Sequence, residues 1–136
     1  MLARRTSVRA AVAALGVGAV LALSSPAAFA DQPPVTLTAG PCQAIQKIET
    51  HYYAPGTAEQ SGWHDAQAID PIANNASDPY YCQFKLTDNY GATPLYSSMS
   101  GSESPWWYDG PGHHIQACVY YMYAGQVKAH QCGVTN

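Results

Sequence analysis

Apolar and polar positions alternate most regularly in the middle of the chain. Tyr80, Cys82, Phe84 and Leu86 occupy every second position, and the residues between them carry polar groups. Because successive side chains of a β-strand point to opposite faces, this period of two predicts a strand with one buried face. The Asp-Asn-Tyr-Gly sequence that follows, at residues 88–91, predicts a turn.

Four further segments have the composition of strands, since they are rich in β-branched and aromatic residues and lie between turn-forming residues. In chain order, these predicted strands are residues 35–38, 95–96, 115–123 and 126–132. The segment Ile115–Tyr123 is apolar or aromatic on both faces apart from Gln116, which is typical of a central strand. Residues 126–132 are expected to return beside it through a turn at Ala124-Gly125.

Two segments are harder to assign. In Cys42–Tyr53 three apolar residues have helical spacing, whereas the β-branched and aromatic residues near its end favour a strand, and we interpret it as a strand. Residues 57–79 have little periodicity and several breakers, which predicts a long loop. The fold is therefore predicted to be all-β: a small disulfide-bonded antiparallel sheet, arranged as a sandwich or a partly closed barrel, with long loops.

The beginning of the chain has a different pattern. Three arginines precede Ala10–Leu23, a run of 14 apolar or glycine residues, and Ala-Phe-Ala at residues 28–30 matches a small-x-small cleavage pattern. This arrangement is typical of a secretory signal peptide and resembles those of bacterial exported proteins. The apolar run is too short to span a bilayer, which needs about 20 residues. We predict a cleaved signal peptide at 1–30 and a single secreted β-rich domain at 31–136.

Removal of the signal peptide changes the charge balance. Residues 31–136 contain three lysines, no arginine and nine carboxylates, so their formal net charge is 3 − 9 = −6. So few cations cannot form the basic surface that nucleic acid requires. The expected partner is therefore an extracellular protein or polysaccharide, with no nucleic acid and no membrane insertion after signal removal.

All four cysteines follow the predicted cleavage point, and an even number in an exported chain predicts two disulfides. These cysteines are Cys42, Cys82, Cys118 and Cys132. Their wide spacing lacks the close pairs of zinc sites, and no metal or other cofactor is expected.

Turn geometry bears on the disulfide pairing without fixing it. A two-residue turn at Ala124-Gly125 would place Cys118 opposite Gln131, which argues against a Cys118–Cys132 bridge. A three-residue loop centred on Gly125 would instead place the two cysteines opposite each other. The pairing stays open at this level.

Aromatic residues are the most unusual feature of the composition. The sequence has ten tyrosines and three tryptophans but only two phenylalanines. Tyrosine and tryptophan combine a large contact area with a polar group and are enriched in binding sites. The candidate binding residues are Trp106, Trp107, Tyr108 and Asp109, which lie between a proline and a Gly-Pro turn. The alternative is that these rings cover the end of the sheet and pack inward.

Catalytic candidates are weaker. His113 and His114 adjoin the same turn as Asp109, and histidine can act as a general base near neutral pH. No nucleophile elbow, zinc-protease motif or phosphate-binding glycine loop is present in the sequence. The preferred hypothesis is a secreted non-enzymatic binding protein, either an inhibitor of an extracellular enzyme or a module that binds a polysaccharide or protein surface. The alternatives are a small extracellular hydrolase with a His/Asp pair, and a structural protein of the cell envelope or spore surface.

Overall fold

The computed structural model describes residues 31–135, and the predicted signal peptide at 1–30 lies outside the described residues. Within that range the regular structure consists of eight strands: β1 (Gln32–Ala39), β2 (Cys42–Tyr53), β3 (Gly62–Asn74), β4 (Tyr80–Asp88), β5 (Thr93–Ser98), β6 (Trp107–Tyr108), β7 (Gln116–Tyr123) and β8 (Gln126–Cys132). No helix that is long and apolar enough to cross a membrane occurs in the described part of the chain.

The strands form two four-stranded antiparallel sheets. The first has the order β1-β2-β3-β6 and the second the order β5-β4-β7-β8. Leu37 and Ile69 of the first sheet pack against Phe84, Leu86 and Val119 of the second to form the core. The sheets do not close into a barrel. The predicted all-β, disulfide-bonded fold is confirmed, in the form of a sandwich.

Strands β2 and β4 match their sequence-based predictions. In β2, Cys42, Ala44 and Ile48 are buried on one face, so the segment with ambiguous spacing is a strand. In β4, Phe84 and Leu86 are completely buried. Burial on alternate positions is what a strand at the face of a core requires.

Strand β3 shows that the prediction of a long loop at residues 57–79 was wrong. It has 13 residues and pairs with β2 along that strand's whole length. Its period-two pattern is hidden, because the core-facing set includes the polar residue Gln67 and the outer set includes the small buried residues Ala66 and Ala68. Pro71, which cannot donate to a ladder, lies beside a register shift where β2 and β3 pair irregularly.

The β7–β8 hairpin explains the disulfide pairing. Tyr123 pairs with Gln126 across a two-residue turn, as predicted. Farther from the turn, a bulge at Lys128 shifts the register between β7 and β8 by one residue. Cys118 consequently faces Cys132, and the two form a disulfide. The argument against this bridge assumed that the register at the turn continued unchanged, and it was wrong for that reason.

The second disulfide joins the two sheets. Cys42 of β2 is bonded to Cys82 of β4, and both residues are buried in the core. Two disulfides fit an oxidising environment such as the outside of the cell.

The two sides of the sandwich differ. On one side β1 and β8 contact each other, and the backbone N–H of Thr38 donates to Oε1 of Gln131 at 2.6 Å. On the other side, β5 and β6 are the edge strands, and no Cα atom of β5 lies within 8 Å of a Cα atom of β6. The sandwich is therefore open along the β5 and β6 edges.

Candidate functional site

A cavity of about 680 Å³ lies at this open side. Its wall combines Leu95 of β5 with the β6 residues and with the ends of other elements. The aromatic and titratable residues in the wall are Tyr53, Glu59, Trp106, Trp107, Tyr108 and His113. This volume falls within the range of about 300–1,000 Å³ that is typical of small-molecule sites.

The tryptophan segment is fixed by hydrogen bonds to the edge of β3. The backbone N–H of Ser104 donates to the carbonyl of Ile69, and the N–H of Ile69 donates to Oγ of Ser104 at 3.0 Å. Three residues farther on, β6 continues the pairing with β3. Ser104 is buried, although its serine-rich surroundings gave no sign of packing. The segment is therefore part of the sheet edge.

The three rings of the segment point in different directions. Trp107 packs against the core, whereas Tyr108, the next residue in β6, lies on the other face and meets the Tyr53 ring edge-on at 4.8 Å. Trp106 lies against the ring of His51, with ring centroids 4.7 Å apart. All three rings are half-buried and line the cavity. Trp107 therefore packs inward, as one of the two alternatives expects, and the role of the segment in binding stays a prediction.

Tyr108 folds back over Gly110. A Cβ atom at position 110 would overlap both the Tyr108 hydroxyl and its ring carbon Cζ, so only glycine leaves room for this ring. Tyr108 Oη and Trp107 Nε1 are enclosed by neighbouring atoms and have no hydrogen-bond partner within residues 31–135. The two rings are held by packing instead.

Asp109 belongs to a buried polar network. Its Oδ2 accepts a hydrogen bond from Gln67 Nε2 at 2.7 Å, and its Oδ1 accepts one from the backbone N–H of Ile115 at 3.1 Å. The network continues from Gln67 Oε1 to Nε2 of Gln46, and from Gln46 to the backbone of Val134. Burial raises the pKa of Asp109, and the two hydrogen bonds oppose that rise. Asp109 therefore anchors the 109–115 loop.

His113 forms its carboxylate pair with Asp88, a residue that the sequence did not single out. Nδ1 of His113 lies 2.6 Å from Oδ2 of Asp88, whose Oδ1 accepts the backbone N–H of His114. Burial opposes ionisation of Asp88, but the hydrogen bonds from His114, His113 and Asn89 outweigh it and lower its pKa. Neither histidine bonds to Asp109, so the His/Asp pairing proposed from the sequence is corrected to His113 with Asp88.

The remaining histidines do not join this pair. The ring of His114 stacks on Tyr90 at 4.3 Å, and His130 lies opposite Tyr120 in the β7–β8 hairpin. Nε2 of His51 is 3.7 Å from Oε2 of Glu49, which lies two residues earlier in β2. Among residues 31–135 no group of three or more His, Cys, Asp or Glu side chains could hold a metal ion.

Sequence reasoning missed several residues of the site. Glu59 carries no local signal, because it lies in a loop with no periodicity. The sequence pattern places Tyr53 only at the end of a predicted strand and Asp88 only at the start of a predicted turn. The assignment of β3 as a strand places Gln67 on the core face. A glutamine at such a position indicates a buried polar network, because its side chain requires a hydrogen-bond partner.

No protein-family model matches the chain, and searches of curated proteins and of solved structures found no match. The function is therefore inferred from the chemistry of the cavity.

Proposed function

We propose that residues 31–136 form a secreted, non-enzymatic binding protein that takes sugar units of an extracellular polysaccharide into its aromatic cavity. The observation that carries this proposal is the cavity itself, with the rings of Tyr53, Trp106, Trp107 and Tyr108 in its wall. Aromatic rings stack on the C–H faces of pyranose sugars, because both surfaces are flat and apolar. A polysaccharide presents such faces repeatedly.

The rest of the chain is consistent with a role outside the cell. The first 30 residues have the pattern of a signal peptide, and two disulfides persist in oxidising compartments. The low content of cations argues against a nucleic-acid partner.

The concave shape of the site favours a module that receives a ligand over an enzyme inhibitor. An inhibitor inserts a projecting segment into the cleft of its enzyme. Here the tryptophan segment forms the wall of a recess, and its backbone is hydrogen-bonded to β3. A recess with aromatic walls accepts a group that projects from the partner.

Trp106→Ala is expected to weaken binding to the polysaccharide about tenfold to a hundredfold, because loss of a stacking ring at the centre of a site costs about 1.4–3 kcal/mol. The measurement is a depletion isotherm on insoluble chitin, chitosan and cellulose, with the mature protein titrated against each. The expected result is saturable binding of the wild type to at least one polymer.

Trp63→Ala is the matched control, since Trp63 is 61% exposed and does not line the cavity. It is expected to bind like the wild type. Urea unfolding of both variants separates binding from stability. If Trp106→Ala loses fold stability but binds with unchanged affinity when folded, or if the wild type binds none of the polymers, the proposed function is wrong.

The His113–Asp88 pair supports a second candidate, a hydrolase. His113 lines the cavity and lies 2.6 Å from Asp88, whose pKa is lowered. Because an ionised carboxylate can only accept hydrogen bonds, Nδ1 of His113 is the donor in this pair and Nε2 is the ring nitrogen that faces a ligand as an acceptor. In such a reaction His113 would take a proton from a water molecule as the water oxygen attacks the carbonyl carbon of a bound ester. The protonated His113 would then give that proton to the departing alkoxide as the ester C–O bond breaks, leaving a carboxylic acid and an alcohol.

The hydrolase candidate predicts turnover of 4-methylumbelliferyl esters that falls at least a hundredfold in His113→Ala, the effect of losing a general base. His130→Ala is the control, because His130 does not line the cavity. A wild-type rate equal to that of buffer alone, or equal rates for wild type and His113→Ala, would remove this candidate.

A further inference from the structure

The cavity contains a carboxylate without a cationic partner. Glu59 lines the cavity and is half-buried, although every other residue from 54 to 61 is exposed. Its side chain forms no ion pair with any residue in the range 31–135. A carboxylate in a cavity wall without a charged partner of its own attracts a cationic group of a bound ligand.

No lysine or arginine of residues 31–135 lies at this site, and the one histidine in the wall, His113, is paired with Asp88. Lys47 forms ion pairs with Asp70 and Glu103. Lys85 and Lys128 lie over tyrosine rings outside the cavity, and residues 31–135 contain no arginine. The wall therefore combines one unpaired carboxylate with four aromatic rings and has no lysine.

Aromatic rings and a carboxylate attract the same kind of ligand group. The face of an aromatic ring carries partial negative charge, so Trp and Tyr rings attract ammonium groups by about 0.5–2 kcal/mol. The pKa of Tyr53 is raised by burial and, second, by the negative charge of Glu59. The negative charge of Glu59 therefore acts on a ring of the cavity wall. Both features favour a cationic group over a neutral or anionic one.

We propose that the cavity selects amino sugars with a free ammonium group, as in a deacetylated chitin-type polysaccharide. This inference rests on the proposed binding function and specifies its ligand. A pyranose ring supplies the flat apolar face for the aromatic rings, and its amine supplies the cation for Glu59. A lysine side chain would supply only the cation, and its narrow chain would fill a small part of a cavity of about 680 Å³.

The test compares two trisaccharides that differ only at the amine. The trimer of β-1,4-linked glucosamine and the trimer of N-acetylglucosamine are titrated into the mature protein by calorimetry at pH 6 and physiological ionic strength. The amine trimer is expected to bind about tenfold more tightly, as one cation–π contact and one ion pair allow.

Glu59→Gln is expected to remove most of this preference, so the amine trimer binds about fivefold more weakly while affinity for the acetylated trimer is unchanged. Glu103→Gln is the matched control. It removes the same charge from the protein at a position outside the cavity, so it is expected to preserve the preference. A near-ultraviolet circular dichroism spectrum checks that each variant is folded.

The possible outcomes separate this inference from the proposed function. If both trimers bind equally and Trp106→Ala weakens both, the amino-sugar inference is wrong and the polysaccharide site stands. If Glu59→Gln and Glu103→Gln reduce the preference for the amine trimer equally, the preference is caused by general attraction to an acidic protein. This result also overturns the inference. If a tetralysine peptide binds in a Trp106-dependent manner and neither trimer does, the ligand is a protein and both proposals fail.

Discussion

The Cys42→Ala, Cys82→Ala double variant is expected to lose about 4 kcal/mol of unfolding free energy. The disulfide closes a loop with a sequence separation of 40, and in the chain-entropy model such a cross-link restricts the unfolded chain by about that amount. Both cysteines are buried between the sheets, so their removal also takes contacts from the core. A domain of the size of residues 31–136 has a total stability of about 5–15 kcal/mol, and the variant is therefore expected to be marginally folded.

The double variant Cys118→Ala, Cys132→Ala provides the comparison. Its loop has a sequence separation of 14 and joins neighbours in one sheet, so the expected loss is about 3 kcal/mol. Each double variant keeps one complete disulfide and leaves no free thiol to form a wrong bridge. Urea unfolding monitored by tryptophan fluorescence gives both values. If the unfolding free energy of the Cys42→Ala, Cys82→Ala variant is within about 1 kcal/mol of the wild-type value, the disulfide between the sheets does not stabilise the fold as expected.

Gln67→Leu is expected to destabilise the protein by about 3–5 kcal/mol at pH 7. Its side chain donates to Oδ2 of Asp109 and to the carbonyl of Ile115, and it accepts from Gln46. Leucine has a similar volume but no polar group, so three buried groups lose a hydrogen bond. The largest cost comes from the Asp109 carboxylate, which has no cation to compensate it among its hydrogen-bond partners.

The loss in Gln67→Leu is expected to shrink as the pH falls. Burial raises the pKa of Asp109 above its ordinary value of 3.8, and without the Gln67 hydrogen bond it rises further. A carboxyl with a raised folded-state pKa contributes stability that is fully present below the unfolded-state pKa and is lost as the pH rises through the folded-state pKa. The difference between variant and wild type is therefore larger at pH 7 than at pH 3.5.

Gln83→Leu is the control for this prediction. Gln83 lies on the outer face of β4, where its Nε2 donates to Oγ of Ser97, and its loss is expected to cost less than 1 kcal/mol. Urea unfolding at the two pH values measures both variants. A loss in Gln67→Leu that is independent of pH would mean that Asp109 does not carry the cost.

The elements predicted correctly are those whose signals are local. In β4 the alternation of Cys82, Phe84 and Leu86 with polar residues determines the buried face without reference to any other strand. The Ala124-Gly125 turn is also local, because it is formed by two adjacent residues. Both of them have positive φ. β3 was missed because its burial comes from neighbours on both sides rather than from its own pattern, as Ala66 and Gln67 show.

The candidate site was found from its composition and only partly from its geometry. The cluster of Trp106, Trp107 and Tyr108 marked the segment, and all three rings line the cavity. The loop carboxylate Glu59 was not found, because nothing near it in the sequence distinguishes it from a solvated loop residue. The partner of His113 was also missed, since Asp88 is 25 residues away and Asp109 is adjacent to the same turn.

Residue types and short-range periodicity were sufficient to predict the class of the fold, most of its strands, the presence of paired cysteines and the aromatic segment. The disulfide pairing, the polar network and the cavity instead depend on contacts between strands and between sheets. The pairing depends on a one-residue bulge at Lys128, and the network joins Gln46 to Val134, 88 residues apart. Strand register is set by how strands align in the sheet, and no short window of sequence contains both partners of the Gln46–Val134 contact.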